Sequence, residues 1–171
     1  MSKSPQLAVP SYVAHCTNTH PVAGLNIYRA AVGDPAISSI TLLSRRELPS
    51  WAVVPANASQ KTTTILHKDF TSYTPELASR LTQHDACVWA IGKSSLGVSE
   101  AEYTSYTYDA PMAFLKALRD ADVGKGRDKD KPFRFLYYSG SHADPTEKSR
   151  QMWARVKVRC GFVPLITRAS G

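Results

Sequence analysis

The chain has 171 residues and a formal charge of +7, from 21 Lys and Arg against 14 Asp and Glu. That length suits one domain with a real hydrophobic core, and 43% apolar with 20% charged residues excludes a disordered chain and fits an ordinary soluble globular one. No apolar run approaches the roughly 20 residues of a membrane span, and the three widely spaced cysteines Cys16, Cys87 and Cys160 form no CxxC pair, which argues against a disulfide framework or structural zinc site.

The N-terminus has one early Lys and runs broken by Pro5 and Pro10, a poor signal peptide. A cytoplasmic setting is therefore expected, with mitochondrial association as the alternative. Residues 13–16 read as a short, poor first strand. Residues 24–32 place Leu25, Tyr28 and Ala31 at helical spacing. Residues 39–44 and 62–67 are strand candidates rich in β-branched side chains. Between 74 and 83 a helix is predicted, with Thr74 as its cap and Pro75 at the first helical position. Residues 86–91 form a further strand stopped by Gly92. A long helix is predicted over 99–120, with Met112, Leu115 and Leu118 on its apolar stripe. Residues 124–132 read as a charged surface loop. The clearest strand is 133–138, and a last helix is predicted over 144–159 from its Asp-Pro-Thr-Glu start. Near-continuous apolar strands separated by single helices predict an α/β fold with a doubly wound parallel sheet.

In such sheets ligands bind beyond the carboxyl ends of the strands. After the second strand come Arg45 and Arg46. An acid there would accept from a ribose 2′-hydroxyl, whereas arginines suit a 2′-phosphate; the plain alternative is an exposed basic turn. After the third strand come Asp69 and Phe70, where a carboxylate and a ring can flank an adenine, or Asp69 can simply start a turn. The next strand ends in Ala90, Ile91 and Gly92, and the glycine lets backbone approach a ligand. The last strand runs into Ser141 and His142, and Trp153 and Lys157 come after it at i and i+4 on one helix face. A Ser, a hydroxyl-bearing ring and a Lys at this spacing would form a reductase centre, with the ring hydroxyl passing the proton. Trp153 has no acidic hydroxyl, and its plain reading is a packing residue beside a surface lysine.

The charge is uneven. Residues 1–147 hold 15 bases and 14 acids, while residues 148–171 hold six bases and no acid. A solvated basic helix face and tail is the expected reading; nucleic acid is not the expected partner, because the basic segment 148–159 interleaves a single aromatic, Trp153, and the stretch carries no recognised motif.

Taken together, residues 40–46, 68–70, 83–92, Tyr108-Asp109 and 136–141 resemble the atypical short-chain dehydrogenase/reductases, in particular the NAD(P)-binding group of Tat-interacting oxidoreductase-like proteins and their fungal relatives. The resemblance spans residues 22–158. It implies a Rossmann-like doubly wound sheet, bound NADP(H), with NAD as the alternative, and reductase chemistry on a small-molecule substrate or a derived binding role. In that family Arg45 and Arg46 would hold the 2′-phosphate, Asp69 and Phe70 would flank the adenine, Ala90, Ile91 and Gly92 would line the cofactor, and Ser141 and Lys157 would match the active-site Ser and Lys. The sequence departs from the pattern in three places. Of the family's glycine fingerprint only Gly24 is kept, with Asn18 and Pro21 at the other glycine positions. Trp153 stands where the family has its catalytic Tyr. The stretch after residue 158 does not match, so the resemblance implies a fold incomplete at its C-terminal end, flanked by divergent segments at 1–21 and 159–171, either a truncated product or a non-catalytic scaffold.

Overall fold

The computed structural model describes residues 11–16, 21–92, 94–139 and 146–159. Five strands form one parallel sheet: β1 (Ser11–Cys16), β2 (Ser39–Ser44), β3 (Thr62–Leu66), β4 (Ala86–Trp89) and β5 (Arg134–Tyr137), in the order β3-β2-β1-β4-β5. The chain builds outward from β1 to β3, then crosses back to lay β4 and β5 on the other side. The first strand is not the marginal element its sequence suggests. It is the centre of the sheet, paired along its whole length with β2 and from Tyr12 to His15 with β4. A central strand is specified by long-range pairing on both edges, which a window with weak local strand propensity does not reveal.

Side-chain alternation sets the two faces of the sheet. Ile40 and Leu42 of β2 pack with Leu25, Tyr28 and Val32 of helix α1 (Pro21–Gly33) and with Ala58 of the short helix α2 (Ala58–Lys61). Leu43, Cys87 and Trp89 join the opposite layer with Leu81 of helix α3 (Pro75–Leu81) and with Phe114, Leu115 and Leu118. Thr74 caps α3 as the sequence predicts, its hydroxyl accepting from the Leu77 N–H at 3.2 Å. Cys87 is fully buried, and loss of solvent pushes its thiol well above its ordinary value, so it acts as a small packing residue. No helix among the described residues is long and apolar enough to cross a membrane.

The long helix of residues 99–120 is interrupted. Helix α4 (Glu100–Thr104) passes through a π-helical turn (Ser105–Asp109) into helix α5 (Ala110–Asp120). Pro111 gives the reason. It has no N–H to donate to the Thr107 carbonyl one turn back, and the wider turn closes instead with the Ala110 N–H on the Ser105 carbonyl. The Thr107 carbonyl accepts from the Tyr137 hydroxyl of β5 at 3.3 Å.

The last described helix, α6 (Met152–Arg159), starts later than the sequence suggests. Glu147 adopts a left-handed φ of 55°, which breaks a helix at a non-glycine residue, and the Ser149 hydroxyl accepts from the Gln151 N–H at 3.1 Å to start the helix afresh. Asp144 and Pro145 lie outside the described residues. The basic face of α6 is not simply solvated: Arg155 pairs with Glu100 of α4 at 2.8 Å and Arg159 with Glu147 at 3.0 Å.

The amino rim of the sheet is closed by Arg127, which the sequence places in a charged surface loop. Its guanidinium is mostly buried against the Phe133 ring. It donates to the carbonyls of Val123 and Thr82 at 2.8 Å and to that of His84, and pairs with Asp85 at 3.4 Å. The connection before β5 is thereby fastened to the one before β4. Charge-assisted bonds to several carbonyls at a half-covered site predict that Arg127→Ala lowers stability by about 2 kcal/mol, read by denaturant melting. Arg127→Lys should recover only part of that, since an ammonium cannot fork.

Beside this clamp His84 is buried, its Nε2 2.9 Å from the Thr41 hydroxyl of β2. Its Nδ1 is buried without a hydrogen-bond partner. Loss of solvent lowers its pKa from 6.5; Asp85 opposes this, while Arg80 and Arg127 add to it. The folded state therefore keeps His84 neutral, whereas the unfolded chain takes up a proton near pH 6.5. Stability present above that pH should fall as the solution is acidified toward the depressed folded value. Melting temperatures between about pH 7.5 and about pH 5.5 should drop further for the wild-type chain than for His84→Gln; equal slopes would refute the assignment.

Candidate functional site

Because the strands are all parallel, their carboxyl ends share one rim. A cavity of about 540 Å³ opens there, beyond β2 and β3 and under the π turn. Arg45, Asp69 and Phe70 line it, and Lys68, Thr71, Glu102, Ser105, Tyr106 and Ala110 complete it.

Arg45 follows β2 directly. The β2–β3 ladder continues one residue beyond β3, with the His67 N–H on the Ser44 carbonyl at 2.8 Å, so the backbone that launches Arg45 is held on one side. The Ser44 hydroxyl also donates to the Arg46 carbonyl at 2.7 Å. The Arg45 guanidinium carbon lies 4.8 Å from the centre of the Tyr106 ring and 5.7 Å from that of Phe70. Its Nε is buried and has no hydrogen-bond partner, and no carboxylate among the described residues pairs with it. Both rings attract the cation through their negative faces without occupying its hydrogen-bonding edge.

Asp69 serves the turn as well as the cavity. Its Oδ1 accepts from the Thr71 hydroxyl at 2.6 Å and the Thr71 N–H at 2.9 Å. These bonds hold its carboxyl below the usual range; His67 and Arg45 nearby act in the same direction. Phe70 is 2% exposed. It belongs chiefly to the core, edge-on to Trp89 at 6.0 Å and to His67 at 5.3 Å.

The other residues singled out in the sequence do not converge on this cavity. Arg46 is exposed beside it and outside its wall. Ala90 and Gly92 continue from β4 along the same rim, and a Cβ built on Gly92 would meet no protein atom, so space over its backbone is open. Ile91 is buried in the core. Gly24 is buried in the first turn of α1, and Pro21 opens that helix. Lys157 lies on α6, which packs on α4 and the π turn; partial burial lowers its pKa. Trp153, one turn before it, donates its indole N–H to Gln151 at 2.9 Å. Ser141 and His142 lie outside the described residues. Tyr137 is half-buried with its hydroxyl on Thr107, and Tyr138 is exposed.

Sequence reasoning missed Tyr106, Ser105 and Glu102, because a helix of uniform period would not aim them at the β2 end. The available signal was Pro111 within a helical stretch that carries Tyr103, Tyr106 and Tyr108.

No family model matches the chain. Over 110 residues it is 27% identical to leucinostatins biosynthesis cluster protein T of Purpureocillium lilacinum, covering 64% of this chain and 36% of that protein. Among solved structures it is similar to a 3-oxoacyl-[acyl-carrier protein] reductase from Brucella melitensis, with TM-score 0.59, 11% identity, and coverage of 91% of this chain and 66% of that one. It is likewise similar to the RhlG/NADP active-site complex of Pseudomonas aeruginosa, with TM-score 0.58, 14% identity, and coverage of 90% and 62%. The third is ADP-L-glycero-D-manno-heptose-6-epimerase of Helicobacter pylori, with TM-score 0.53, 14% identity, and coverage of 87% and 48%. The chain has a Rossmann-like α/β fold. It spans between about half and two thirds of the length of these solved chains and about a third of the fungal protein.

Proposed function

We propose that this chain is an NAD(P)-binding, oxidoreductase-like domain that takes NADP(H) in preference to NAD(H) at the carboxyl rim of its sheet. The observation that carries the reading is Arg45: a cation at the end of β2, in the wall of a cavity, with no carboxylate partner among the described residues. Bidentate donors of this kind suit a phosphate on the adenosine ribose. Phe70 and Asp69 in the same wall suit the adenosine end, and Arg46 is close enough in sequence to add long-range attraction. The open backbone at Gly92 suits the nicotinamide half. The complex with NADP among the similar structures supports the class of ligand. When bound, the dinucleotide supplies or accepts a hydride; Lys157 and Ser141 would then orient a small hydroxyl or carbonyl substrate.

Two features set the strength of this reading. Pro21 at the start of α1 removes an N–H from the helix end that would otherwise face a pyrophosphate, so affinity is expected to be weaker than with the full glycine fingerprint. Trp153 stands at the proton-donor position with its indole N–H on Gln151. That favours the second reading, a cofactor-binding scaffold without turnover.

Titration with NADPH at high protein concentration should change the nicotinamide fluorescence. Arg45→Ala combined with Arg46→Ala should weaken NADPH at least about tenfold, equal to about 1.4 kcal/mol, with unchanged melting. Absence of any NADPH signal would defeat the proposal. Binding without hydride transfer to any tested carbonyl compound would select the scaffold reading.

A further inference from the structure

The π turn has a geometric effect that its place in a long helix hides. An α-helix advances about 100° per residue, and an inserted π turn rotates the face presented by the residues before it relative to the face presented by those after it. Residues 110–118 keep Ala110, Phe114, Leu115 and Leu118 buried in the core. Tyr106 and Ser105 are thereby left in the wall of the cavity rather than in that core. The result is the 4.8 Å approach of the Tyr106 ring to the Arg45 guanidinium carbon, with Phe70 on a second side at 5.7 Å.

We infer that Tyr106 is a positioning residue: its ring on the π turn holds Arg45 with the N–H donors directed to a ligand phosphate, and so it sets the preference for a phosphorylated over an unphosphorylated adenosine dinucleotide. The inference rests on the NADP(H) reading above and adds to it a residue on the far helix. A carboxylate could fix Arg45 equally well, but it would engage the donors and cancel the charge that a phosphate needs. An aromatic ring attracts the cation by its face and leaves the donors for the ligand. The hydroxyl of Tyr106 has no part in this, so the ring alone should suffice.

The test compares NADPH and NADH binding by fluorescence for the wild-type chain, Tyr106→Phe, Tyr106→Leu, Arg45→Ala and the Tyr106→Leu/Arg45→Ala pair, with melting measured for each. Tyr106→Leu should weaken NADPH about three- to tenfold and leave NADH within about twofold. Tyr106→Phe should behave as wild type. Adding Tyr106→Leu to Arg45→Ala should have no further effect, because the ring acts through the guanidinium. If Tyr106→Leu folds poorly, Tyr106→Met supplies the same comparison with a flexible chain in its place. Equal losses for both nucleotides, unchanged NADPH binding, a Tyr106→Phe loss matching that of Leu, or additive losses in the pair would each overturn the inference while leaving the NADP(H) reading intact. A wild-type chain that binds neither nucleotide, or both equally, overturns the two together.

Discussion

A continuous set of aromatic contacts ties the sheet to the cavity, and the rest of the architecture depends on it. Trp89 of β4 is fully buried at its centre, 5.6 Å from Phe114, 6.1 Å from Phe135 and 6.0 Å from Phe70. Phe114 continues to Tyr73 at 5.6 Å, and Tyr73 stacks on His67 at 4.8 Å. Strands β4 and β5, helix α5 and the segment after β3 thus share one set of rings. Such pairs add to the burial of their own area and have preferred geometries, so they fix direction as well as distance. Phe70 is anchored from the core side and still lines the cavity beside Arg45. The wall that receives Arg45 is therefore rigid because it is the outer surface of the core.

The Tyr73 hydroxyl shows what this arrangement demands. It is buried without a hydrogen-bond partner, and loss of solvent is the first reason its pKa is raised. Its ring is kept in the stack despite an unsatisfied hydroxyl, a local cost borne by its packing on His67 and Phe114.

Much of this is legible in the sequence, and the remainder is hidden for specific causes. Strand β2 reads at its observed bounds because the β-branched pair Ile40-Thr41 and the apolar pair Leu42-Leu43 stand between two serines. The cap at Thr74 is readable because Ser/Thr followed by Pro is a local device needing no tertiary partner. The carboxyl-rim residues Arg45, Asp69 and Phe70 can be found because strand ends are readable once strands are. The central role of β1 is not readable, since pairing partners far along the chain decide it. The π turn escapes notice because one inserted residue leaves helical periodicity almost unchanged in a short window. Arg127 looks like a solvated loop charge, because two of the three carbonyls that hold it, those of Thr82 and His84, come from more than 40 residues away in sequence. Asp69 looks like a ligand group and proves equally a turn residue, a local bond that competes for the same oxygen.

The two rims of the sheet each hold one half-covered arginine in opposite chemical circumstances. Arg127 is saturated: its donors end on protein oxygens, and its ring contact only adds to them. Arg45 has ring contacts and no oxygen at all among the described residues. The first is a closed valence and the second an open one, in the same residue type and at similar depth. Chance variation at these sites would thus leave different marks. A change at the amino rim would thin the population of folded chains, whereas a change at the carboxyl rim would leave that population whole and alter only what it can capture.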